Sequence, residues 1–318
     1  MMPALKKEPL IVTRYSFPFP AGFCPGTPYG RCPEVSSGSY PKTSRGLHSE
    51  VSRSLRLALI ADLHEGDPRA ALRLLKRERP DVILVAGDLL ERHEEGASEW
   101  TNERMDEWMS RGNRNCHPAI RTARNAAIRL LNGLSREKDS HARNAYAFLK
   151  NARALAPVYY SVGNHEWYFT DEDRALFMRI GITLLDNADT VWESPAGPIL
   201  IGGLSTRYDL DWLDRFSRRP GYKLLLCHHP EYYFRYIQGT VRDAFDLIFS
   251  GHAHGGQWRI GGRGVFAPGQ GFFSKYVYGD FPTAKGRLIV SSGASNTVTI
   301  PRLGNPCELV MIELHETA

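Results

Sequence analysis

Cysteine is scarce and scattered in this chain of 318 residues: Cys24, Cys32, Cys116, Cys227 and Cys307 are all there is. Only the first two are close together, so a disulfide framework is excluded and a reducing, cytoplasmic setting is expected. No apolar run approaches the roughly 18 residues of a membrane span. The N-terminus has no basic region followed by a long apolar core, so no conventional export signal is expected. Internal repeats are lacking as well. An excess of positive charge is lacking from most of the chain. The formal net charge of +5 resides in residues 1–56, with eight basic residues against three acidic, and the remainder balances at 32 to 32. A basic nucleic-acid-binding face is therefore not implied, whereas a basic tail is.

What is present suffices for one large core or two modest ones, since 42% of the residues are hydrophobic. Residues 1–53 are rich in Pro, Gly and Ser around PFPAGFCPGTPYGRCP and show no helical or alternating period. They read as an extended or poorly ordered arm preceding a domain over residues 54–318. Cys24 and Cys32 lack the close CxxC pairs of a zinc site. Contact of the arm with a membrane surface, through its basic residues and Phe17, Phe19 and Phe23, is a weaker reading because no amphipathic helix accompanies them.

Order begins near Leu55. Leu57 to Ile60 is an apolar run leading into Asp62-Leu63-His64, Arg69 to Arg77 has helical spacing, and Asp81 to Ala86 is a second apolar run ending in Gly87-Asp88. Strand, helix and strand within about thirty residues make a βαβ unit, whose polar residues stand at the C-terminal strand ends. Val158 to Val162 delivers Gly163-Asn164-His165-Glu166, and Lys223 to Leu226 delivers Cys227-His228-His229-Pro230. A helix over Asp171–Ile180, β segments near 183–185, 190–192 and 199–202, a short helix over 209–216, and closing strands at 288–293 and 309–314 complete the pattern. The segments 261–264 and 268–271 read as glycine-rich turns.

Between Asp88 and Val158 the pattern is interrupted at about 92–156 by a stretch read as a helical insertion. Arg111, Arg114, Arg121, Arg124 and Arg129 follow its acidic start, and Ile120, Ala123, Ala127, Leu130, Leu131 and Leu134 form a stripe at helical spacing. Solvated faces are the plain reading. A lid whose arginines reach a phosphate is the sharper one.

The stretch Gly251-His252-Ala253-His254-Gly255-Gly256-Gln257 follows the apolar run Phe245 to Phe249. If strand geometry persists, His252 and His254 point the same way. With Asp62, His64, Asp88, Asn164, His165, His228 and His229, six of the eleven histidines lie at strand ends. A set of His, Asp and Asn without cysteine suits first-row metals in mixed N/O coordination, such as Mn, Fe or Zn, and argues against a closed thiolate site. Two divalent ions against two carboxylates and a bridging hydroxide leave a residual positive field that attracts phosphate.

Asp62-x-His64, Gly87-Asp88, Gly163-Asn164-His165-Glu166, His228-x-Pro230 and Gly251-His252-Ala253-His254 together resemble the calcineurin-like metallophosphoesterase superfamily, in its order. Gly255-Gly256-Gln257, Val290-Ser291-Ser292-Gly293 and Pro301-Arg302-Leu303 resemble its bacterial YkuE-type phosphohydrolase branch. The resemblance implies a four-layer αββα sandwich of two mixed β-sheets with a binuclear site at the C-terminal strand ends. Asp62, His64, Asp88 and His254 would hold one metal, and Asp88, Asn164, His228 and His252 the other, with Asp88 bridging. His165 would sit by the scissile phosphate as general acid or transition-state donor, and His229 would be a supporting or substrate-facing residue. Hydrolysis of a phosphodiester or pyrophosphate by a metal-bridging hydroxide is the implied reaction. A phosphorylated small molecule or lipid-linked substrate is the expected partner. A nuclease or protein phosphatase on the same site, or a non-catalytic metal-binding scaffold, are the alternatives. The long insertion, Ala253 where Thr is common and Cys307 where Pro is common depart from the pattern without touching a ligand position.

Overall fold

A computed structural model of the protein describes residues 10–19, 54–92, 142–296 and 300–316. Its first sheet contains β1 (Ile11–Phe19), β2 (Leu55–Ile60), β3 (Val82–Ala86), β4 (Val158–Ser161), β5 (Ile182–Leu185) and β15 (Glu308–Glu316), in the order β1-β15-β2-β3-β4-β5. The second contains β6 (Ala188–Ser194), β7 (Gly197–Leu204), β8 (Lys223–Cys227), β9 (Leu247–Ser250), β13 (Gly279–Pro282) and β14 (Arg287–Val290), in the order β13-β14-β9-β8-β7-β6. Both are mixed. β2 to β5 run parallel with β15 antiparallel to β2, while β14, β9, β8 and β7 run parallel between antiparallel β13 and β6.

The central strands are buried on both faces, which is why their sequences are continuous apolar runs instead of alternating ones. On β2, Leu57 and Leu59 join the core between the sheets, while Ala58 and Ile60 face the helices Arg69–Glu78 and Arg143–Arg153. On β8, Leu224 and Leu226 enter the same inner core, and Leu225 packs with Trp212, Leu213 and Phe216 of the helix Leu210–Ser217. Helix, sheet, sheet and helix are thus stacked in four layers, the expected αββα sandwich. The helix Asp171–Ile180 has the bounds read from sequence. Thr170 and Asp173 form a capping box at its start, and Gly181 closes it in the left-handed region.

Three expectations need correction. Ile11–Phe19, assigned to a poorly ordered arm, is a strand paired in parallel with β15. Its Tyr15, Phe17 and Phe19 pack into the inner core and Val12 into the outer one, an alternation that the surrounding Pro, Gly and Ser obscure. Pro18 is tolerated because β1 is an edge strand. Phe19 is thus a core residue and Phe17 packs partly buried against the core; Phe23 lies outside the described residues. The end of the expected insertion is a second correction: the helix Arg143–Arg153 buries Ala145, Phe148, Leu149 and Ala152 and is the crossover between β3 and β4. The stripe from Ile120 to Leu134 and the five arginines from Arg111 to Arg129 lie outside the described residues. Third, the glycine-rich stretch after Gln257 is a ribbon of β10 (Arg259–Ile260), β11 (Arg263–Ala267) and β12 (Gly271–Ser274), with glycines at its turns. Cys227 and Cys307 are buried thiols. Among the described residues no helix is long and apolar enough to cross a membrane.

Candidate metal centre

The C-terminal ends of β2, β3 and β4 from one sheet converge with those of β8 and β9 from the other. The chain turns abruptly there: Asp62, His64, Asp88, His252 and His254 all have positive φ, between 47° and 65°. Each such non-glycine residue costs about 1 kcal/mol or more, and the strain persists only where neighbours impose the conformation. Glycines do so by allowing backbone against carboxylate. A Cβ on Gly163 would lie 2.1 Å from Asp88 Oδ1, and one on Gly251 would lie 2.6 Å from Asp62 Oδ2.

Two ligand groups result. In one, Nε2 of His64 and Nε2 of His254 each lie 3.8 Å from Asp62 Oδ1. In the other, Asn164 Oδ1 lies 3.0 Å from His228 Nε2 and 2.7 Å from His252 Nδ1. Asp88 Oδ2 stands between them, 3.8 Å from His64 Nε2 and 3.1 Å from His228 Nε2. All seven residues expected as ligands are thus brought together, but not by the route expected for the two histidines. β9 ends at Ser250, so strand alternation does not carry through; the left-handed turns send His252 to one group and His254 to the other.

The supporting residues were mostly missed in the sequence. Glu91, read only as the start of an acidic stretch, accepts from Nδ1 of His64 at 2.7 Å and from Nδ1 of His165 at 2.9 Å. A carboxylate only accepts, so both rings carry the proton on Nδ1 and turn a lone pair on Nε2 toward the centre. His228 Nδ1 donates to the Ala86 carbonyl at 2.6 Å, which turns its Nε2 toward Asp88. The signal for Glu91 was its position three residues beyond Asp88, in the turn leaving β3. Arg92 fixes that turn: it pairs with both oxygens of Asp173 at 2.8 Å, and its backbone bonds to His165 and Trp167. Glu166 fixes it from below, its carboxylate accepting from the backbone of Leu89, Leu90 and Gly163 and from the Tyr160 hydroxyl. His165 reaches to 4.0 Å of Asp88 Oδ2 from the solvent side. His229 is absent from both groups around Asp88; it is buried behind His252, at 4.1 Å between rings, and bonds to Glu231 and Thr206.

Burial sets the charge states. It pushes the pKa of His64, His252 and His254 down, reinforced by His165, His229 and His64 respectively, so these rings are neutral, the form that binds metal. Burial opposes the charged forms of His228 and Asp88 as well, but each stabilises the other. His228 is pushed up to about 10, and His228 and His165 hold Asp88 well below the usual carboxylate range. Burial, then the Asp88 charge, raises Glu166 to about 7. His64 Nε2 is buried without any hydrogen-bond partner, a cost of about 1–3 kcal/mol, and Asp88 Oδ2 is buried facing His228 Nε2 at 3.1 Å. Both are atoms of the kind that bind metal and both face the centre, so the donor set fits divalent cations.

A profile of calcineurin-like phosphoesterases matches residues 55–256, a span that contains every residue of both ligand groups. The chain belongs to the calcineurin-like phosphoesterase family. The N/O donor groups brought together here are candidate ligands for divalent metal. Among curated proteins it is similar to the uncharacterized protein YpbG of Bacillus subtilis, 27% identical over 160 residues, covering 49% of this chain and 54% of that one. It is also similar to the uncharacterized metallophosphoesterase YkoQ of Bacillus subtilis, 33% identical over 121 residues, covering 35% of this chain and 43% of the other. The chain thus spans about half the length of the curated relatives it matches. Solved structures similar to it include the sulfate thiohydrolase SoxB of Thermus thermophilus, at 11% identity and TM-score 0.41, covering 87% of this chain and 58% of that one. The phosphopantetheinyl hydrolase PptH of Mycobacterium tuberculosis is another, at 12% identity and TM-score 0.36, covering 76% and 91%.

Proposed function

We propose that this calcineurin-like phosphoesterase is a binuclear hydrolase of phosphodiesters or pyrophosphates in a small-molecule or lipid-linked substrate. The observation that carries the reading is Asp88 Oδ2, buried between the two groups of nitrogen and oxygen donors, 3.8 Å from His64 Nε2 and 3.1 Å from His228 Nε2, where one carboxylate oxygen would serve both. Asp62, His64, Asp88 and His254 would hold one cation, and Asp88, Asn164, His228 and His252 the other, with Mn, Fe or Zn as candidates. The cations would supply a strong nucleophile at neutral pH and neutralise charge gathering on the phosphoryl oxygens.

The remaining chemistry belongs to the chain. His228 and His64 are held by the Ala86 carbonyl and by Glu91, so their Nε2 atoms are aimed at the centre before substrate arrives, and a cation would displace the proton from His228 Nε2. His165 is the most exposed ring of the centre, and its Nε2, 4.0 Å from Asp88 Oδ2, would meet the leaving oxygen. When that ring is doubly protonated it donates from Nε2 to the departing oxygen, while Glu91 holds Nδ1 and carries the counter-charge. Gly163 and the backbone N–H of His165, which donates to Asp88 Oδ1 at 2.8 Å, keep the shared carboxylate in one orientation.

The test is hydrolysis of bis-p-nitrophenyl phosphate, and of the corresponding monoester, by metal-stripped protein with Mn²⁺ or Zn²⁺ restored, beside Asp88→Asn. Metal-dependent diester turnover with about two ions bound per chain, lost in the variant, supports the reading. Folded, metal-loaded protein that turns over neither ester sinks it and raises the scaffold alternative.

A further inference from the structure

The ribbon β10–β12 leaves apolar side chains in water. Trp258, Ile260, Phe272, Phe273 and Leu303 are all exposed; Ile260 is 61%, Phe273 59% and Leu303 63% accessible, so nothing in the described chain covers them. They belong to one structural unit, because Trp258 bridges to Leu303 and the Arg259 N–H donates to the Leu303 carbonyl at 2.9 Å. The tip of the ribbon is Gly261-Gly262, both in the left-handed region and both facing open space. Phe273 is itself left-handed, at φ 52°, an expensive conformation for an aromatic residue that gains no internal burial from it.

Along the ribbon's own sequence the charge has one sign. From Gly255 to Gly279 the chain has Arg259, Arg263 and Lys275 and no Asp or Glu. Arg259 lies over the Tyr278 ring at 3.9 Å, whereas Arg263 and Lys275 are exposed on the ribbon, with Arg263 donating to the Phe273 carbonyl at 3.1 Å. Cations among exposed aromatic and aliphatic side chains, with no acidic residue in the ribbon itself and a glycine tip, match a lipid surface. The apolar groups enter the headgroup boundary while Arg and Lys extend to lipid phosphates. A protein partner would have to bring its own carboxylates to these cations; an anionic bilayer meets them as they stand.

We propose that the ribbon β10–β12, with Trp258 and Leu303, docks the protein on an anionic lipid bilayer. Ile260, Phe272, Phe273 and Leu303 insert at the headgroup boundary, and Arg263 and Lys275 contact lipid phosphates. The surface is contiguous with the metal centre: Trp258 is four residues beyond His254, and Leu303 follows Arg302, whose guanidinium lies 3.5 Å from His254 Nδ1. Docking would therefore hold the centre close to headgroup level. The inference rests on exposure and charge, independently of the reaction proposed for the metals.

The experiment is co-sedimentation of the full chain with vesicles of phosphatidylglycerol and phosphatidylcholine in equal parts, and with pure phosphatidylcholine, at low and high salt. Two double variants are compared, Ile260→Ser with Phe273→Ser, and Arg263→Glu with Lys275→Glu. The expected result is binding to the anionic vesicles that salt weakens and that each double variant weakens by about tenfold or more. Diester hydrolysis in solution stays unchanged in both, which verifies that the centre is folded. Absence of sedimentation with anionic vesicles overturns the proposal, as does binding that both variants retain. Equal binding to both vesicle types overturns the role of the cations. If vesicles are not bound but the chain dimerises and Ile260→Ser with Phe273→Ser abolishes it, the surface belongs to a second copy and the proposal fails.

Discussion

Glu91→Gln removes one charge and no volume, and its consequence follows from counting acceptors. The wild-type carboxylate accepts two Nδ1 protons, from His64 and His165. A glutamine accepts only one, because its other terminal atom is a donor, so one ring must change tautomer or lose its partner. Burial decides which. The His64 side chain is 2% exposed and that of His165 is 33% exposed. An orphaned N–H at His64 costs about 1–3 kcal/mol, whereas His165 can turn to water. The glutamine oxygen is therefore expected on His64, which keeps its Nε2 lone pair for metal, and the defect falls on His165. Losing a charge-assisted bond worth about 1.5–3 kcal/mol lowers kcat by roughly 10- to 150-fold. Metal content, measured by elemental analysis after dialysis, stays near wild type. Glu91→Ala strands both Nδ1 protons and lowers metal affinity as well, by about 10- to 100-fold. A glutamine variant that loses metal while its reloaded form keeps full kcat would refute the reasoning, and so would an alanine variant indistinguishable from wild type.

Gly163→Ala places a Cβ 2.1 Å from Asp88 Oδ1, so the shared carboxylate must move; metal affinity and activity should both fall by tenfold or more, with a stability cost of about 1–3 kcal/mol. Isothermal titration with Mn²⁺ reads this, and unchanged affinity would show that Asp88 tolerates displacement. Arg92, Tyr146 and Thr170 outweigh burial and hold the Asp173 carboxyl down to about 2. That stabilisation is present above the unfolded pKa near 4 and is lost as pH falls toward 2, about 2 kcal/mol in all. Asp173→Asn should flatten the acid limb of a stability–pH curve there, and an unchanged slope would assign acid unfolding to other groups. Phe19→Ala removes a ring that packs edge-on to Tyr222 at 4.8 Å and should cost about 3 kcal/mol in denaturant unfolding. No loss would mean that β1 contributes little to the core.

The central strands and the ligand residues were legible because burial on both faces writes a continuous apolar run, and each run ends in a polar motif. Asp62, Asp88, Asn164, His228 and His252 could be placed at strand ends before any contact was known. Glu91 and Glu231 could not, since their roles depend on which rings face them, and a lone glutamate in sequence reads as solvated surface. β1 was hidden by composition: its alternation of Val12 against Tyr15, Phe17 and Phe19 is short and adjoins a Pro- and Gly-rich stretch. The crossover helix Arg143–Arg153 was taken for part of an insertion because its helical period runs on from sequence with the same period. Periodicity identifies a buried face but does not say which sheet covers it.

The placement of β1 also governs how the molecule is assembled. Among the described residues its sole neighbour in the sheet is β15, and the Thr13 hydroxyl that bonds to Glu308 reaches across 295 residues of chain. Contacts so remote in sequence form late, because the chain between them must be ordered or looped out first. During that interval Tyr15, Phe17 and Phe19 are a sticky, unpaired segment open to the same segment of another chain. Refolding at high protein concentration should therefore lose yield first through β1, and a free peptide of the Ile11–Phe19 sequence, added in excess, should compete for β15 before the native strand arrives.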